Sequence, residues 1–504
     1  MKNSARALLA VGLPAGFPVL VLALVAAIVV VEVIAFRSRL SHGLEFAVFA
    51  APAAFVLLRA LLTFGRLRDD EGVPVTAEAQ PELWALVHEL AEAVGTAPPD
   101  EVRVVARVNA GVLERTRWFG LRVAGRRLAI GAPLFAGLRV DEFRAVLGHE
   151  LAHYSNRDTR FAVATYRGRV VIMRVLSGLD GASWFGRLAH PLFQAYGWLY
   201  FSVSARISRA QELAADAASA RVGGTAAATG ALRQIAALSA GWRSFVADYL
   251  MLGWGAGYLP EHPAEGYRLL LADESRAREL AELRRNPRER ETSPFDSHPA
   301  TPDRIRLLEA APVVLTADGG DRPATELLRD ADAVLDAAWL SLLPDEALAK
   351  ERTDWQTLAE VSMRHDFNET AAKIARGRSM GELLDALDAG RPEDLADPDL
   401  RVPADADPAA RREPLRESAR TRLSIVVLAH LATEGRAQWR ISWSKSTELL
   451  LTPRYTDELF PALKAAAAGE TTSLRALLPE TSGVPSGGDD CGDPAPPHAR
   501  AARE

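Results

Sequence analysis

The longest apolar stretch stands near the start of the chain, where residues 11–36 carry one ionisable side chain, Glu32. As a helix these 26 residues extend about 39 Å, more than the roughly 30 Å of a bilayer's hydrocarbon core, which predicts a spanning helix. The run is too long for a signal peptide, and Phe36-Arg37-Ser38-Arg39 offers no small-residue cleavage site, so an uncleaved anchor is expected. A second run, 46–65, is broken only by Arg59, whose head can snorkel to the interface, and it predicts the return span of a hairpin within residues 1–66. Lys2, Arg6, Arg66 and Arg68 flank the hairpin, against Arg37 and Arg39 in its loop. That bias puts both ends in the cytoplasm and predicts a multi-pass protein of the cell membrane. Glu32 is read as a headgroup-level residue.

Beyond the hairpin the pattern changes to short amphipathic elements. Leu83, Leu86, Val87, Leu90 and Ala91 recur at helical spacing and stop at Gly95, a residue suited to a helix C-terminus. Strands are predicted at 102–105, around Asn109-Ala110-Gly111-Val112 and at 127–130, followed by a helix from Asp141, its expected N-cap, through residue 153. Residues 159–206 are apolar but interrupted by Arg167, Arg169, Arg174 and Arg187. They predict helices lying on the bilayer surface or packed in the protein, with a second spanning hairpin as the alternative. After residue 310 come helical stretches near 323–340 and 354–387, an Asp/Pro/Arg-rich linker over 391–416, a helix over 421–431 and an alternating Trp439, Ile441, Trp443. The expected organisation is a hairpin (1–66), a central domain (67–310), an accessory α+β domain (311–478) and a disordered tail (479–504). The fold class is α+β and predominantly helical.

Composition narrows the function little. Of 504 residues 48% are hydrophobic and 25% charged, which reads as folded, and a net charge of −6 without a basic block argues against a nucleic-acid partner. The one cysteine, Cys491, excludes an intrachain disulfide and a cysteine metal cluster.

The chemistry concentrates in His149-Glu150-Leu151-Ala152-His153. On a helix, positions i and i+4 share a face, so both imidazoles can reach one metal while Glu150 points at a water on it. A helix carrying two histidines by chance is the bland alternative. A catalytic zinc needs a third protein ligand, for which Glu212 is the best candidate, with Asp216 on the same face able to hold a ligand histidine by its other ring nitrogen. On local spacing alone, a surface helix with solvated acids explains that pair equally well. His262, His365 and His430 lack partners at ligand spacing and read as structural.

Three blocks in order carry a more specific signal: the run from Val146 to Asp158, then Ser208-Arg209 with Glu212 and Ala215-Asp216, then Ser297-His298-Pro299 with Arg304-Ile305. Together they resemble the M48 family of membrane zinc endopeptidases, which includes the eukaryotic CaaX prenyl proteases. The resemblance covers roughly residues 70–310 and extends to Asn109-Ala110. It implies a zincin fold of gluzincin type, one Zn2+ per chain held by His149, His153 and Glu212, and Glu150 as general base. It places His298 and Arg304 close to the active site, where they would contact substrate or the developing oxyanion. Asp158 reads as a supporting acid or a helix-surface residue. The chain departs from the family in its arginine-rich insertion, where relatives often carry membrane helices, and in having Ala214 where an acid is common.

The expected activity is hydrolysis of peptide bonds in a protein or peptide substrate that lies extended along Asn109, Ala110, Gly111 and Val112 by main-chain pairing. Membrane protein quality control is one setting for it. Two alternatives stand beside it: a membrane-tethered assembly factor with a structural zinc site, and a processing protease for lipidated C-termini. The sequence is silent on oligomeric state.

Overall fold

The computed structural model describes residues 72–117, 122–154, 184–287, 299–315, 321–401 and 407–478, with scattered positions in 16–37 and 172–176. The predicted spans at 11–36 and 46–65 therefore fall largely or wholly outside the described residues, as does the tail from 479. Among the described residues no helix is long and apolar enough to cross a membrane. Those described between 16 and 37 are helical.

The chain divides into two compact units: residues 1–245 with 262–344, and residues 246–261 with 345–504. The first opens on strand β1 (Val73–Val75) and helix α1 (Pro81–Val94). Pro81 at the first turn lacks the N–H that would go unused there, and Gly95, at φ 78°, closes the far end. The predicted stripe of Leu83, Leu86, Val87, Leu90 and Ala91 is the buried face. Strands β2 (Glu101–Val105), β3 (Ala110–Arg117) and β4 (Arg122–Gly131) follow. The sheet order is β1-β2-β4-β3, with β2 and β4 parallel and the other pairs antiparallel, so β3 is an edge strand. Val102 faces Leu128 and Val104 faces Ile130 in register, and all four are fully buried. Where β4 ends, only glycine fits, since a Cβ on Gly131 would lie 1.9 Å from the Arg107 carbonyl oxygen.

Helices α2 (Ala132–Gly137), α3 (Val140–Ala152), α4 (Trp184–Gly223), α5 (Thr225–Phe245), α6 (Pro263–Ala272), α7 (Glu274–Arg285), α8 (Thr301–Ala310) and α9 (Ala331–Leu340) complete the unit. Helix α3 starts before the predicted cap: Arg139 is the N-cap and Asp141 lies inside the first turn. The cause is tertiary, because the Val140 N–H is taken by the Arg322 carbonyl at 2.9 Å. The later part of the predicted insertion is one helix with the third-ligand segment, since α4 runs 40 residues from Trp184 through Glu212. Early in α4, Phe193, Gly197 and Tyr200 are buried while Leu192, Trp198 and Leu199 are exposed. Trp242, Phe245, Tyr267 and Trp339 form an aromatic core joining α5, α6 and α9, with ring centroids as close as 4.8 Å.

The second unit pairs β5 (Tyr258–Pro260) with β6 (Glu351–Thr353) in parallel. Helices α10 (Trp355–Ala375), α11 (Met380–Asp388) and α12 (Pro408–Thr433) lead to the hairpin of β7 (Ala437–Ser442) and β8 (Ser446–Leu451), and α13 (Pro453–Thr456), α14 (Leu459–Ala467) and α15 (Thr472–Leu477) close the unit. The helical stretch at 354–387 is two helices, broken where Arg376 and Gly377 take φ of 50° and 78°. Its core holds Leu383, Leu387, Leu423, Val427, Trp439 and Leu463. Trp439 sits in β7 as the alternation predicts.

Candidate metal centre

Helix α3 carries His149 and His153 one turn apart, so their rings meet edge to face along one side of the helix, with centroids 4.8 Å apart and planes at 87°. Their Nε2 atoms are 3.2 Å apart. The third group arrives from α4, which crosses α3 in the opposite direction at a seam of small residues. A Cβ on Gly148 would meet Val222 Cγ2 at 2.3 Å, and one on Gly223 would meet Ala145 Cβ at 2.8 Å. The Ser219 hydroxyl donates to the Ala145 carbonyl at 2.7 Å across the same seam. Two turns back along α4, this close approach brings Glu212 against both imidazoles, Oε2 at 3.5 Å from His149 Nε2 and Oε1 at 3.5 Å from His153 Nε2.

The two imidazole nitrogens thus each face a different oxygen of one carboxylate, and one ligand atom from each of the three residues lies within 4.8 Å of the others. Two imidazole nitrogens and a carboxylate gathered this closely are a donor set that suits zinc, whose bonds to such atoms are about 2.0–2.2 Å. Among the described residues this is the group of histidines and carboxylates able to hold a metal. His262, His365 and His430 lie elsewhere, facing Asp336 at 3.2 Å, Glu369 at 3.8 Å and Glu434 at 3.6 Å.

Behind the donors lies a second layer of charge. Asp216, 4% exposed, sits one turn beyond Glu212 and reaches His149 Nδ1 at 3.1 Å. Arg304, from α8, grips Asp216 and lies 3.8 Å from Glu212. Burial works against a charged imidazole at His149, but the carboxylates of Asp216 and Glu212 outweigh it and push its pKa up to about 9. Burial also works against an ionised Asp216, and Arg304 together with His149 overcomes it, holding that carboxyl below its usual range. A buried guanidinium thus neutralises part of the negative charge that a dication would meet.

Glu150 shares the site's helix and is partly exposed. Of the predicted substrate strand, Ala110, Gly111 and Val112 lie on edge strand β3, and Asn109 precedes it. Asp158 and His298 lie outside the described residues. Sequence reasoning passed over Tyr154, which follows the second histidine and donates its hydroxyl proton to the Val112 carbonyl. Its only sequence signal is that adjacency.

A mostly helical α+β unit with two histidines on one helix, a glutamate from the next and a buried Asp–Arg pair behind them has the build of a metallopeptidase. The profile of Peptidase family M48 matches residues 77–311, and this segment is an M48-family metallopeptidase domain. A similar protein is a protease HtpX homolog from Thermoplasma volcanium, 38% identical over 83 residues, which are 16% of this chain and 25% of that protein. The chain thus spans about a quarter of the length of that relative. No solved structure matches.

Proposed function

We propose that the chain is a membrane-anchored, zinc-dependent endopeptidase in which His149, His153 and Glu212 hold the metal and Glu150 is the general base. The observation that carries this reading is the convergence of His149, His153 and Glu212, one ligand atom from each within 4.8 Å of the others. Zinc bound there would polarise the scissile carbonyl and make water a nucleophile near neutral pH. Glu150 takes the proton from the attacking water and delivers it to the leaving amine. Asp216 fixes the ring of His149 through Nδ1, so that Nε2 faces the metal. Edge strand β3 receives the substrate as an added strand, which makes main-chain pairing the main source of affinity and leaves side-chain selection loose.

The anchor is the hairpin of residues 11–36 and 46–65, with the peptidase unit on the cytoplasmic side. Support comes from the apolar sequence runs and from Val19, Leu22, Val29, Val30, Val33 and Ile34, which are helical and expose large apolar side chains. Membrane protein quality control is the setting we propose for this activity.

The test joins metal analysis to casein hydrolysis with and without a chelator. The purified chain should contain about one zinc per molecule, lose activity on chelation and regain it with zinc. Glu150→Gln should retain zinc and abolish cleavage. Undiminished hydrolysis by that variant would refute the assignment of the base, and a zinc-loaded chain that cleaves nothing would favour an assembly factor.

A further inference from the structure

The hydrogen-bond pattern of the edge strand shows which of its groups face outward. The Gly131 N–H donates to the Asn109 carbonyl at 2.8 Å, which makes 109 and 131 a hydrogen-bonded pair. In an antiparallel ladder bonded and non-bonded pairs alternate. With Ala110 opposite Ile130 and Val112 opposite Leu128, and no register shift before Arg115, the N–H and C=O of Ala110 and Val112 point away from β4. These outward groups are what a strand added to β3 would use.

One of them is already taken. Tyr154, the residue after His153, donates its hydroxyl proton to the outward carbonyl of Val112. The tyrosine is held on every side. Its N–H bonds the Leu151 carbonyl at 3.0 Å, its carbonyl accepts from Thr96 Oγ1 at 3.2 Å, and the Arg126 guanidinium lies over its ring at 5.6 Å. These contacts fix the residue apart from its hydroxyl, whose bond to the edge strand is a separate one.

We infer that Tyr154 is a positioning residue that sets how far a substrate strand can pair along β3. The inference rests on the peptidase reading and names a determinant of that site's substrate register. Whichever way a bound peptide runs, it loses the acceptor at Val112, so its ladder stops there and continues only on the Ala110 side. The stop lies next to a metal-binding histidine. Peptide length on one side of the scissile bond therefore adds no affinity, while length on the other side does.

The experiment measures binding rather than turnover. Fluorescein-labelled peptides, lengthened one residue at a time from either end, are titrated by anisotropy against the zinc-loaded Glu150→Gln chain with and without Tyr154→Phe. The phenylalanine keeps the ring and its stacking, and thermal melting checks that the variant is folded. Removing the hydroxyl should tighten binding by about two- to tenfold, the value of one added hydrogen bond, for peptides long enough to reach Val112, and leave shorter peptides unchanged. Equal affinities at every length, a uniform change at all lengths, or no peptide binding to either protein would overturn the inference. Casein hydrolysis by the chain with Glu150 intact reports separately on the peptidase reading, so length-dependent binding without cleavage would remove that reading alone.

Discussion

Arg304 binds Asp216 through two parallel contacts, Nε to Oδ2 at 2.8 Å and Nη2 to Oδ1 at 2.5 Å, across 88 residues of sequence. The side chains are 12% and 5% exposed, so this is a buried ion pair rather than a surface one. Its geometry is the planar fork that a guanidinium offers a carboxylate. It ties α8 to the helix that carries Glu212.

Removing one partner leaves the other charge buried. Arg304→Met should therefore destabilise the chain by about 3–5 kcal/mol in urea denaturation, whereas Arg304→Lys, which keeps the charge but not the fork, should fall between the two. A loss below about 1 kcal/mol for the methionine variant would show that water reaches Asp216.

Asp216 also holds His149 at Nδ1, 3.1 Å away. Asp216→Asn preserves shape but weakens that hold and returns less electron density to the ring. Zinc affinity, read by competition with a chromogenic chelator, should drop about 10- to 100-fold. Unchanged affinity would mean that α3 alone orients the imidazole.

The seam between α3 and α4 offers a test of what brings the donors together. Alanine at 148 would put its Cβ 2.3 Å from Val222 Cγ2, while the other neighbours stay at 3.7 Å or more. Gly148→Ala should cost about 1–3 kcal/mol through overpacking, and Val222→Ala in the same chain should restore part of it because the blocking methyl is gone. The double variant is compared with each single variant by chemical denaturation; additive losses would contradict the proposed contact.

How much of this site the sequence discloses depends on the range of each interaction. His149 and His153 are legible because their partnership is one helical turn, and the same holds for Glu212 with Asp216. That the two pairs meet is decided by Gly148, Ser219 and Gly223, which as local residues signal nothing but small size. Arg304 stands far from Asp216 in sequence, and only the three-block family pattern put it near the site. The start of α3 escaped a capping rule because Arg322, from a distant loop, satisfies the first N–H. An edge strand near residues 109–112 was expected only as the place for a substrate to pair, since strand order itself depends on the parallel pairing of β2 with β4. Amphipathic helices such as α1 were read correctly because one face and one glycine determine them.

Glu142 supplies a pH test away from the metal donors. It lies in the first turn of α3, where its carboxylate accepts from the Arg139 N–H at 3.1 Å and sits near Gly230 of α5. Burial raises its pKa above the usual carboxylate value, outweighing the hydrogen bond at Arg139 and the nearby arginines. An acid with a raised folded pKa costs nothing below its unfolded pKa of about 4.5 and penalises folding increasingly as pH rises through the folded value. Glu142→Gln keeps an oxygen for the Arg139 N–H but cannot ionise, so its stability relative to the parent chain should rise from pH 4 towards neutrality and then level off. Denaturant midpoints across that range measure the difference. A constant difference, or one that falls with pH, would mean that the carboxylate is not penalised by burial at the start of the helix that bears both histidines.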